Sequence, residues 1–267
     1  MLQFKKLKIN SMKNKINDFE TSAFYDQFWH RNVPNYEETK NYMFNTITGR
    51  SYSKSLDAGC GHGICSVILS DISISVDAVD ISPKCIETAK VQSQKFNRSN
   101  IIYHNQDLQV LDLQGKKFDL IWCWGVAMMA PKPLDIIDNL VESMENNSEL
   151  YIGLYLKTWL SPIHELIRKL CVNYMNTPRR KKFVLDFFTL ATKIVFALKF
   201  KKVNLRDDNI SIQTQVEDWY YPPYKTFYSI DFIIEYLEKK GLIAKCIQDR
   251  VGRLKSATIF VIKAEKK

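Results

Sequence analysis

The sequence predicts an α/β fold built on a parallel, doubly wound sheet. Between residues 53 and 155, short apolar runs alternate with helical patterns, and a cluster of three glycines follows the first run. Alternation of this kind favours a parallel sheet with right-handed crossovers. The chain has 267 residues, of which 46% are hydrophobic and 25% charged. It therefore suits one large globular domain, or one domain with an addition.

The predicted strands are five apolar runs, at residues 55–57, 75–80, 101–104, 120–124 and 150–155. Ser82 and Pro83 predict a helix start after the second run, with serine as the cap and proline in the first turn. After Pro133, apolar residues recur at helical spacing from Leu134 to Met144. We therefore expect helices to connect the second strand to the third and the fourth to the fifth.

The C-terminal part returns to the same pattern after a long interruption. Residues 229–240 predict a helix that ends at Gly241, and two β-rich runs follow at 242–248 and 257–262. The stretch before this helix is too long for an ordinary connection. The predicted parts are a core of residues 49–156 and 229–267 and an inserted, basic, mainly helical cap of residues 157–228.

Polar residues and glycines gather at the ends of three predicted strands. Asp57 opens the segment DAGCGHG, whose glycines let the backbone turn tightly and approach a ligand. Asp80 ends the second strand, and Asp107 follows the third. The carboxyl ends of parallel strands meet at one edge of a sheet, so we expect these acids to converge on its ligand crevice. A carboxylate at the end of the second strand can accept both hydroxyls of a ribose.

The glycine spacing is GxGxG, one residue short of the GxGxxG of dinucleotide binding. With Asp57, Asp80 and Asp107 in register and FDLI opening the fourth strand, the chain resembles the class I S-adenosylmethionine-dependent methyltransferases. The resemblance is strongest over residues 50–156. It implies a Rossmann-like, seven-stranded, mostly parallel sheet that ends in an antiparallel pair and carries an inserted helical cap. A nicotinamide-binding sheet and a sheet without cofactor are the alternatives.

The resemblance implies S-adenosyl-L-methionine as the cofactor and no metal. The residues it implies for cofactor binding are Asp57, Ala58, Gly59, Cys60, Gly61, Gly63, Asp80, Ile81, Asp107, Leu108, Cys123 and Trp124. The glycines are expected to face the methionine part, and Asp57 to hold the adjoining loop or the amino group. Asp80 is expected to bind the ribose hydroxyls and Asp107 the adenine amine. Cys123 and Trp124 are expected to lie beside the reactive methyl.

The sequence indicates the acceptor site less clearly than the cofactor site. Candidates there are Tyr25, His30, Met128, Tyr155, His164, Tyr220 and Tyr224. Tyr25 and His30 belong to an N-terminal segment, residues 1–48, which is expected to be helical and which in this family often folds over the cofactor as a lid. Met128 follows the fourth strand, where many relatives carry paired histidines, and would supply an apolar wall.

Two features of the cap region leave alternatives open. His164 is either a base that reaches the pocket or a surface histidine. The aromatic segment 218–224 is either a wall of the acceptor site or part of the core. Methyl transfer from a sulfonium is an in-line displacement, so orientation and desolvation can supply most of the acceleration. We therefore assign no catalytic residue from the sequence.

Positive charge is concentrated in two parts of the chain. Residues 1–15 carry +5 and residues 157–206 carry +10 of a total of +9, so the remainder carries −6. Clustered positive charge attracts phosphates, nucleic acid, anionic lipid or an acidic metabolite. The basic segments therefore bear on the partner that the cap recognises.

One segment of the cap, residues 183–200, is densely apolar and is flanked by basic clusters. Asp186, Thr189 and Lys193 form a narrow polar stripe on it at helical spacing. Three interpretations are open: a helix packed between cap and core, a helix lying on an anionic membrane surface, and a homodimer contact.

The cysteines indicate in which cellular compartment the protein is expected. All six are dispersed, at positions 60, 65, 85, 123, 171 and 246, with no CxxC pair, so we expect no zinc cluster. With no recognisable secretory signal, they predict free thiols and a cytoplasmic location, with peripheral membrane contact as an open addition. No apolar stretch approaches the ~20 residues of a transmembrane helix.

Together these patterns predict a methyltransferase that uses S-adenosylmethionine. The predicted acceptor is an O or N atom of a small, anionic or amphiphilic metabolite. An RNA methyltransferase that uses its basic patches on phosphates is one alternative, although nucleic acid is not the expected partner. A non-catalytic scaffold that keeps the fold is the other.

Overall fold

The computed structural model describes residues 25–26, 33–47, 51–174, 177–200, 212–251 and 259–267. Seven strands within these residues form one sheet: β1 (Tyr52–Ala58), β2 (Ser73–Asp80), β3 (Ile101–Asn105), β4 (Phe118–Trp124), β5 (Met144–Tyr155), β6 (Ile243–Val251) and β7 (Ile259–Lys266). Their order across the sheet is β3–β2–β1–β4–β5–β7–β6. The first five pair in parallel, and β7 runs antiparallel to both β5 and β6. The predicted seven-stranded, mostly parallel sheet is confirmed.

Helices pack on both faces of this sheet. They are α1 (Tyr36–Thr46), α2 (Ile64–Leu69), α3 (Pro83–Lys95), α4 (Pro133–Glu142), α5 (Ser161–Tyr174), α6 (Pro178–Phe200), α7 (Ile212–Tyr220) and α8 (Ile230–Glu238). As the sequence predicts, α3 begins at Pro83, and the Ser82 hydroxyl accepts from the backbone N–H of Cys85 at 3.1 Å. Short 3₁₀ turns follow β3 (Leu108–Val110) and β4 (Ala127–Met129).

Alternation along the strands divides the core into two layers. In β4, Ile121 and Cys123 face the layer that α4 and α8 complete, whereas Leu120 and Trp122 face the layer with α1 and α2. All four side chains are buried. Because successive strand residues point to opposite faces, this register also decides which side chains reach the carboxyl edge of the sheet.

A buried ion pair crosses the strands β5 and β7. The carboxylate of Glu149, 1% exposed, lies 2.8 Å from the ammonium of Lys263, which is 8% exposed. Glu149 also accepts a 2.6 Å hydrogen bond from the Tyr52 hydroxyl on β1. The pair therefore ties three strands together on the face that holds Trp122 and Tyr151.

The described part of the cap contains three helices, α5, α6 and α7, inserted between β5 and α8. Leu185 of α6 packs with Val216 of α7 and with Tyr221 in a small separate core. The chain then returns to the sheet along the ends of β4 and β5, where the N–H of Thr226 donates to the Met128 carbonyl at 2.8 Å. The exact domain boundaries stay a prediction.

None of the described helices combines the length and the apolar character that a helix needs to cross a bilayer.

Candidate active site

The glycine loop joins the end of β1 to α2. The N–H groups of Gly59 and Cys60 both donate to the Val79 carbonyl of β2, at 2.8 and 2.9 Å. Gly59, Gly61 and Gly63 have φ values of +83°, +51° and +84°, in the left-handed region that favours glycine. Glycine at these three positions therefore lets the loop follow this path without the energetic cost that a side chain would add.

The three glycines differ in what surrounds them. A Cβ on Gly59 would lie 2.3 Å from a methyl carbon of Val126, and a Cβ on Gly63 would lie 2.6 Å from Cβ of Ala89 in α3. A Cβ on Gly61 would meet no atom within 4 Å. Gly59 and Gly63 thus permit close packing of the loop, and Gly61 faces open space in the cleft.

Asp80, at the end of β2, is held by backbone donors. Its Oδ2 accepts from the N–H of Gly61 at 2.8 Å and its Oδ1 from the N–H of Ser82 at 2.9 Å. Burial raises the pKa of this carboxyl to about 6, although the two N–H donors act against that rise. At neutral pH the group is therefore mainly an anion with a fixed orientation.

Asp57 lies beneath the loop at the end of β1 and is almost completely buried. Its Oδ2 accepts a 2.6 Å hydrogen bond from the Ser66 hydroxyl of α2. Burial raises its pKa to about 7, and the nearby Asp80 carboxylate adds to the rise. A cation bound beside Asp57 would favour its ionised form.

A cleft opens over the carboxyl ends of β1, β2 and β4. Of the residues expected to bind cofactor, those that line it are Asp57, Gly59, Cys60, Gly61, Asp80, Ile81, Asp107, Leu108 and Trp124. The cleft thus brings together all three predicted acids. The described residues that line it include no lysine or arginine, so its fixed charges are negative.

The histidine and the cysteines that line the cleft are neutral at pH 7. Burial lowers the pKa of His62 to about 4 and raises the pKa values of the Cys60 and Cys65 thiols. The cysteines are free thiols, as expected. The negative charge of the cleft therefore comes from its carboxylates alone.

An aromatic wall forms the side of the cleft next to β4. Trp122 and Trp124 lie on the same face of the strand with ring centroids 5.7 Å apart, and Tyr42 of α1 packs edge-on against Trp124 at 5.1 Å. A Cβ on Gly153 of β5 would lie 2.7 Å from the Trp124 ring, so glycine leaves room for this indole. Sequence reasoning missed Trp122, His62, Cys65, Gln109 and Met129 as lining residues.

Three residues expected at the cofactor do not line the cleft. Ala58 and Cys123 have no exposed surface and belong to the core layer below the sheet, and Gly63 packs against α3. Cys123 points to the face opposite Trp124, because neighbouring residues on a strand alternate. The expectation that both side chains lie beside the reactive group therefore fails for Cys123.

The N-terminal candidate Tyr25 lines the cleft. Its neighbour Asp26 accepts a 2.5 Å hydrogen bond from the hydroxyl of Ser82, which lies two residues after Asp80. The structure thus places this part of the N-terminal segment over the end of β2. His30 lies outside the described residues, and the action of the segment as a lid stays a prediction.

His164 is 5% exposed, so the alternative of a surface histidine is wrong. Its ring stacks on Tyr220 at 5.0 Å and meets Phe227 edge-on at 5.6 Å. Burial, aided by the positive charge of Lys225, lowers the pKa of His164 to about 3. The imidazole is therefore neutral and packed between cap and core, away from the residues that line the cleft.

The remaining acceptor candidates also lie off the cleft. Met128 is fully buried, and Tyr155 packs against Phe227 with ring centroids 5.8 Å apart. Tyr220 belongs to the stack with His164, and Tyr224 is half-buried in the connector that leaves α7. Arg168 of α5 donates to the carbonyl groups of Pro222 and Pro223 in that connector, at 2.6 and 3.0 Å. These residues fasten the cap to the core.

Comparison with known proteins agrees with this site. The Methyltransferase domain family matches residues 56–146, which run from β1 to β5 and include the glycine loop and the three acids. Residues 56–146 therefore form a methyltransferase domain of the class I, S-adenosylmethionine-dependent type.

Two relatives of this methyltransferase carry the name ubiquinone biosynthesis O-methyltransferase. The protein from Coxiella burnetii is 27% identical over 112 residues, which are 42% of this chain and 47% of the relative. The mitochondrial protein from Schizosaccharomyces pombe is 31% identical over 119 residues, 44% of this chain and 42% of the relative. The match thus spans just under half the length of these relatives.

A solved structure shows the same fold over nearly the whole chain. The methyltransferase resembles the magnesium protoporphyrin IX methyltransferase of Synechocystis PCC 6803, crystallised with bound S-adenosylhomocysteine, with a TM-score of 0.59. The superposition covers 96% of this chain and 100% of that one at 15% identity. At this identity the likeness concerns the fold.

The residues of the methyltransferase fit S-adenosylmethionine. Open space at Gly61 admits the close approach of a ligand, and the carboxylates suit a ligand that carries a sulfonium and an ammonium group. Ile81, Leu108 and Trp124 give the cleft apolar surface, which suits the adenine and the reacting end of such a ligand. Among the described residues, no group of three metal-binding side chains is placed to hold a metal ion.

Proposed function

We propose that this protein transfers a methyl group from S-adenosylmethionine to an O or N atom of a small, amphiphilic acceptor. The observation that carries the proposal is the hydrogen bond from Gly61 to Asp80, which joins the glycine loop to an oriented carboxylate in one cleft. The shared name of the relatives, ubiquinone biosynthesis O-methyltransferase, favours an oxygen atom.

The chain contributes mainly binding, orientation and exclusion of water. When bound, the cofactor supplies an electrophilic methyl group on a sulfonium. Asp80 and Asp107 would hold its ribose and adenine, and Asp57, beside the glycine loop, would favour its cationic end. Trp122, Trp124 and further apolar residues would keep water from the reacting atoms, so that proximity and desolvation lower the barrier.

The cleft favours an amphiphilic acceptor over a strongly anionic one. Its described lining offers carboxylates and aromatic rings and no cationic side chain. An anionic group placed next to Asp57 or Asp80 would be repelled, whereas an apolar ring would pack against Trp124. The described basic residues of the cap do not line the cleft.

Titration calorimetry with S-adenosylmethionine tests the cofactor site. Asp80→Ala should weaken binding about 10- to 150-fold, because it removes charge-assisted hydrogen bonds worth about 1.5–3 kcal/mol. Asp135→Ala is the matched control, since Asp135 is an exposed carboxylate on α4. A wild-type protein that gives no heat would support the scaffold alternative and overturn the proposal.

The acceptor is tested separately, with cofactor that carries an isotopically labelled methyl group. Detergent-solubilised phenols with apolar tails should become labelled, and water-soluble dicarboxylic acids and transfer RNA should not. Labelling of RNA alone would contradict the proposed acceptor class and leave the cofactor site intact.

A further inference from the structure

The cap carries a large apolar face that nothing in the described chain covers. On and just before α5, Trp159, Ile163, Leu166, Leu170 and Tyr174 are 50–79% exposed. On α6, Phe183, Phe187, Leu190 and Ile194 are 51–68% exposed. We call these nine residues the cap apolar face. Within each helix they recur every three or four residues, so each set forms a single stripe.

The helix α5 reverses the usual arrangement of a surface helix. Its outward side is the apolar stripe, whereas its inward side buries the polar residues His164 and Arg168 to 5% exposure each. Arg168 is neutralised there by both carboxylate oxygens of Glu165, at 2.7 Å each. An apolar outer stripe above a buried polar underside indicates that the outer side has a binding partner.

The two stripes point away from the same support. The inward residues of α5 stack on Tyr220, and those of α6 pack against Val216, so both helices rest on α7. Arg180 lies over the ring of Tyr174 at 5.1 Å, which links the facing ends of α5 and α6. The cap apolar face is therefore one surface that spans two helices.

Basic side chains surround this face. Lys169, Arg179, Arg180, Lys182 and Lys193 are exposed. The nearby acids are already paired, Glu165 with Arg168 and Asp186 with Lys182 at 2.8 Å. An apolar surface with a basic border matches the boundary between headgroups and acyl chains of an anionic bilayer, where Trp and Tyr are also enriched.

We propose that the cap apolar face docks the protein on an anionic phospholipid surface, with α5 and α6 lying in the plane of the interface. A second copy of the chain is disfavoured, because a symmetric contact through this face would bring two basic borders together. The inference does not depend on methyl transfer. Docking of this kind would bring the enzyme and an amphiphilic acceptor to the same surface.

Vesicle co-sedimentation tests the proposal. Wild-type protein should pellet with vesicles of phosphatidylcholine mixed with phosphatidylglycerol and stay in solution with phosphatidylcholine alone. A variant with Phe183→Ser, Phe187→Ser and Leu190→Ser should partition at least about tenfold less, because it loses three apolar side chains that would enter the lipid surface. Ile74→Ser is the matched control, since Ile74 is 77% exposed and lies on β2, far from the cap in the sequence.

Reversing the charge of two basic residues beside the cap apolar face provides a second test of the docking. Arg179→Glu with Lys193→Glu should abolish the preference for phosphatidylglycerol and reduce the dependence on salt. Wild-type protein that stays in solution with anionic vesicles at low salt, while still binding S-adenosylhomocysteine, would overturn the docking and leave the proposed function standing. A dimer that the triple serine variant dissociates, without any vesicle binding, would also overturn it and assign the face to a second copy.

Discussion

The backbone N–H of Gly61 donates a 2.8 Å hydrogen bond to Oδ2 of Asp80, across the crevice between β1 and β2. The bond joins the two sequence features that point most directly to the cofactor. It also fixes the carboxylate without using a side chain, which leaves the space in front of Gly61 open. The glycine loop and the acid are therefore one binding unit.

Gly61→Ala should weaken cofactor binding much more than it reduces the stability of the fold. The left-handed φ of +51° costs an alanine about 1–2 kcal/mol, but its Cβ meets no protein atom within 4 Å. The methyl group would project toward the cofactor, so we expect affinity for S-adenosylhomocysteine to fall at least about tenfold. Calorimetry measures the affinity, and unchanged binding would show that the cofactor does not approach this backbone.

Gly63→Ala should mainly reduce stability. Its Cβ would lie 2.6 Å from Cβ of Ala89, so the clash adds about 1–3 kcal/mol to the cost of the left-handed backbone. Gly241→Ala is the matched control, because Gly241 has a φ of +82° and no atom within 4 Å of the added carbon. Urea denaturation should show the larger loss for Gly63→Ala, and equal losses would contradict the close packing of α2 and α3.

Much of the sheet edge could be predicted from local sequence. The strands β1 to β4, the cap at Ser82 and the three acids follow from apolar runs, turn residues and helix-start chemistry, which act over a few neighbouring residues. The expected position of Cys123 beside the reactive methyl was wrong, and strand alternation alone would have corrected it. Trp122 could have been found by the same rule.

The cap could not be predicted in the same way. His164 is polar and opens a helix, which indicates a surface position, yet tertiary contacts with Tyr220 and Phe227 bury it. The exposed stripe of α6 depends on where α7 packs, and that contact joins residues far apart in the sequence. Local patterns carry no information about such a contact.

The ion pair between Lys263 and Glu149 should matter for stability. Lys263→Met leaves a carboxylate that is 1% exposed without its cation, so the free energy of unfolding should fall by about 3–5 kcal/mol. The double variant Lys263→Met with Glu149→Gln should recover part of this loss, since a neutral amide can still accept from Tyr52. Urea denaturation of the single and double variants measures both, and additive losses would show that the two groups are not coupled.

The pH dependence of stability should report on Asp57. Its pKa is about 7 in the folded chain and 3.8 ordinarily, so between these values the folded state binds a proton that the unfolded state releases. The free energy of unfolding should therefore fall as pH rises from about 4 to about 7 and then level off. Asp57→Asn should reduce this slope in urea denaturation, while Asp80, with a pKa of about 6, and His62, with a pKa of about 4, still contribute from the cleft with opposite signs. Asp135→Asn, at an exposed carboxylate, should leave the slope unchanged, and a wild-type slope that Asp57→Asn does not alter would contradict the raised pKa.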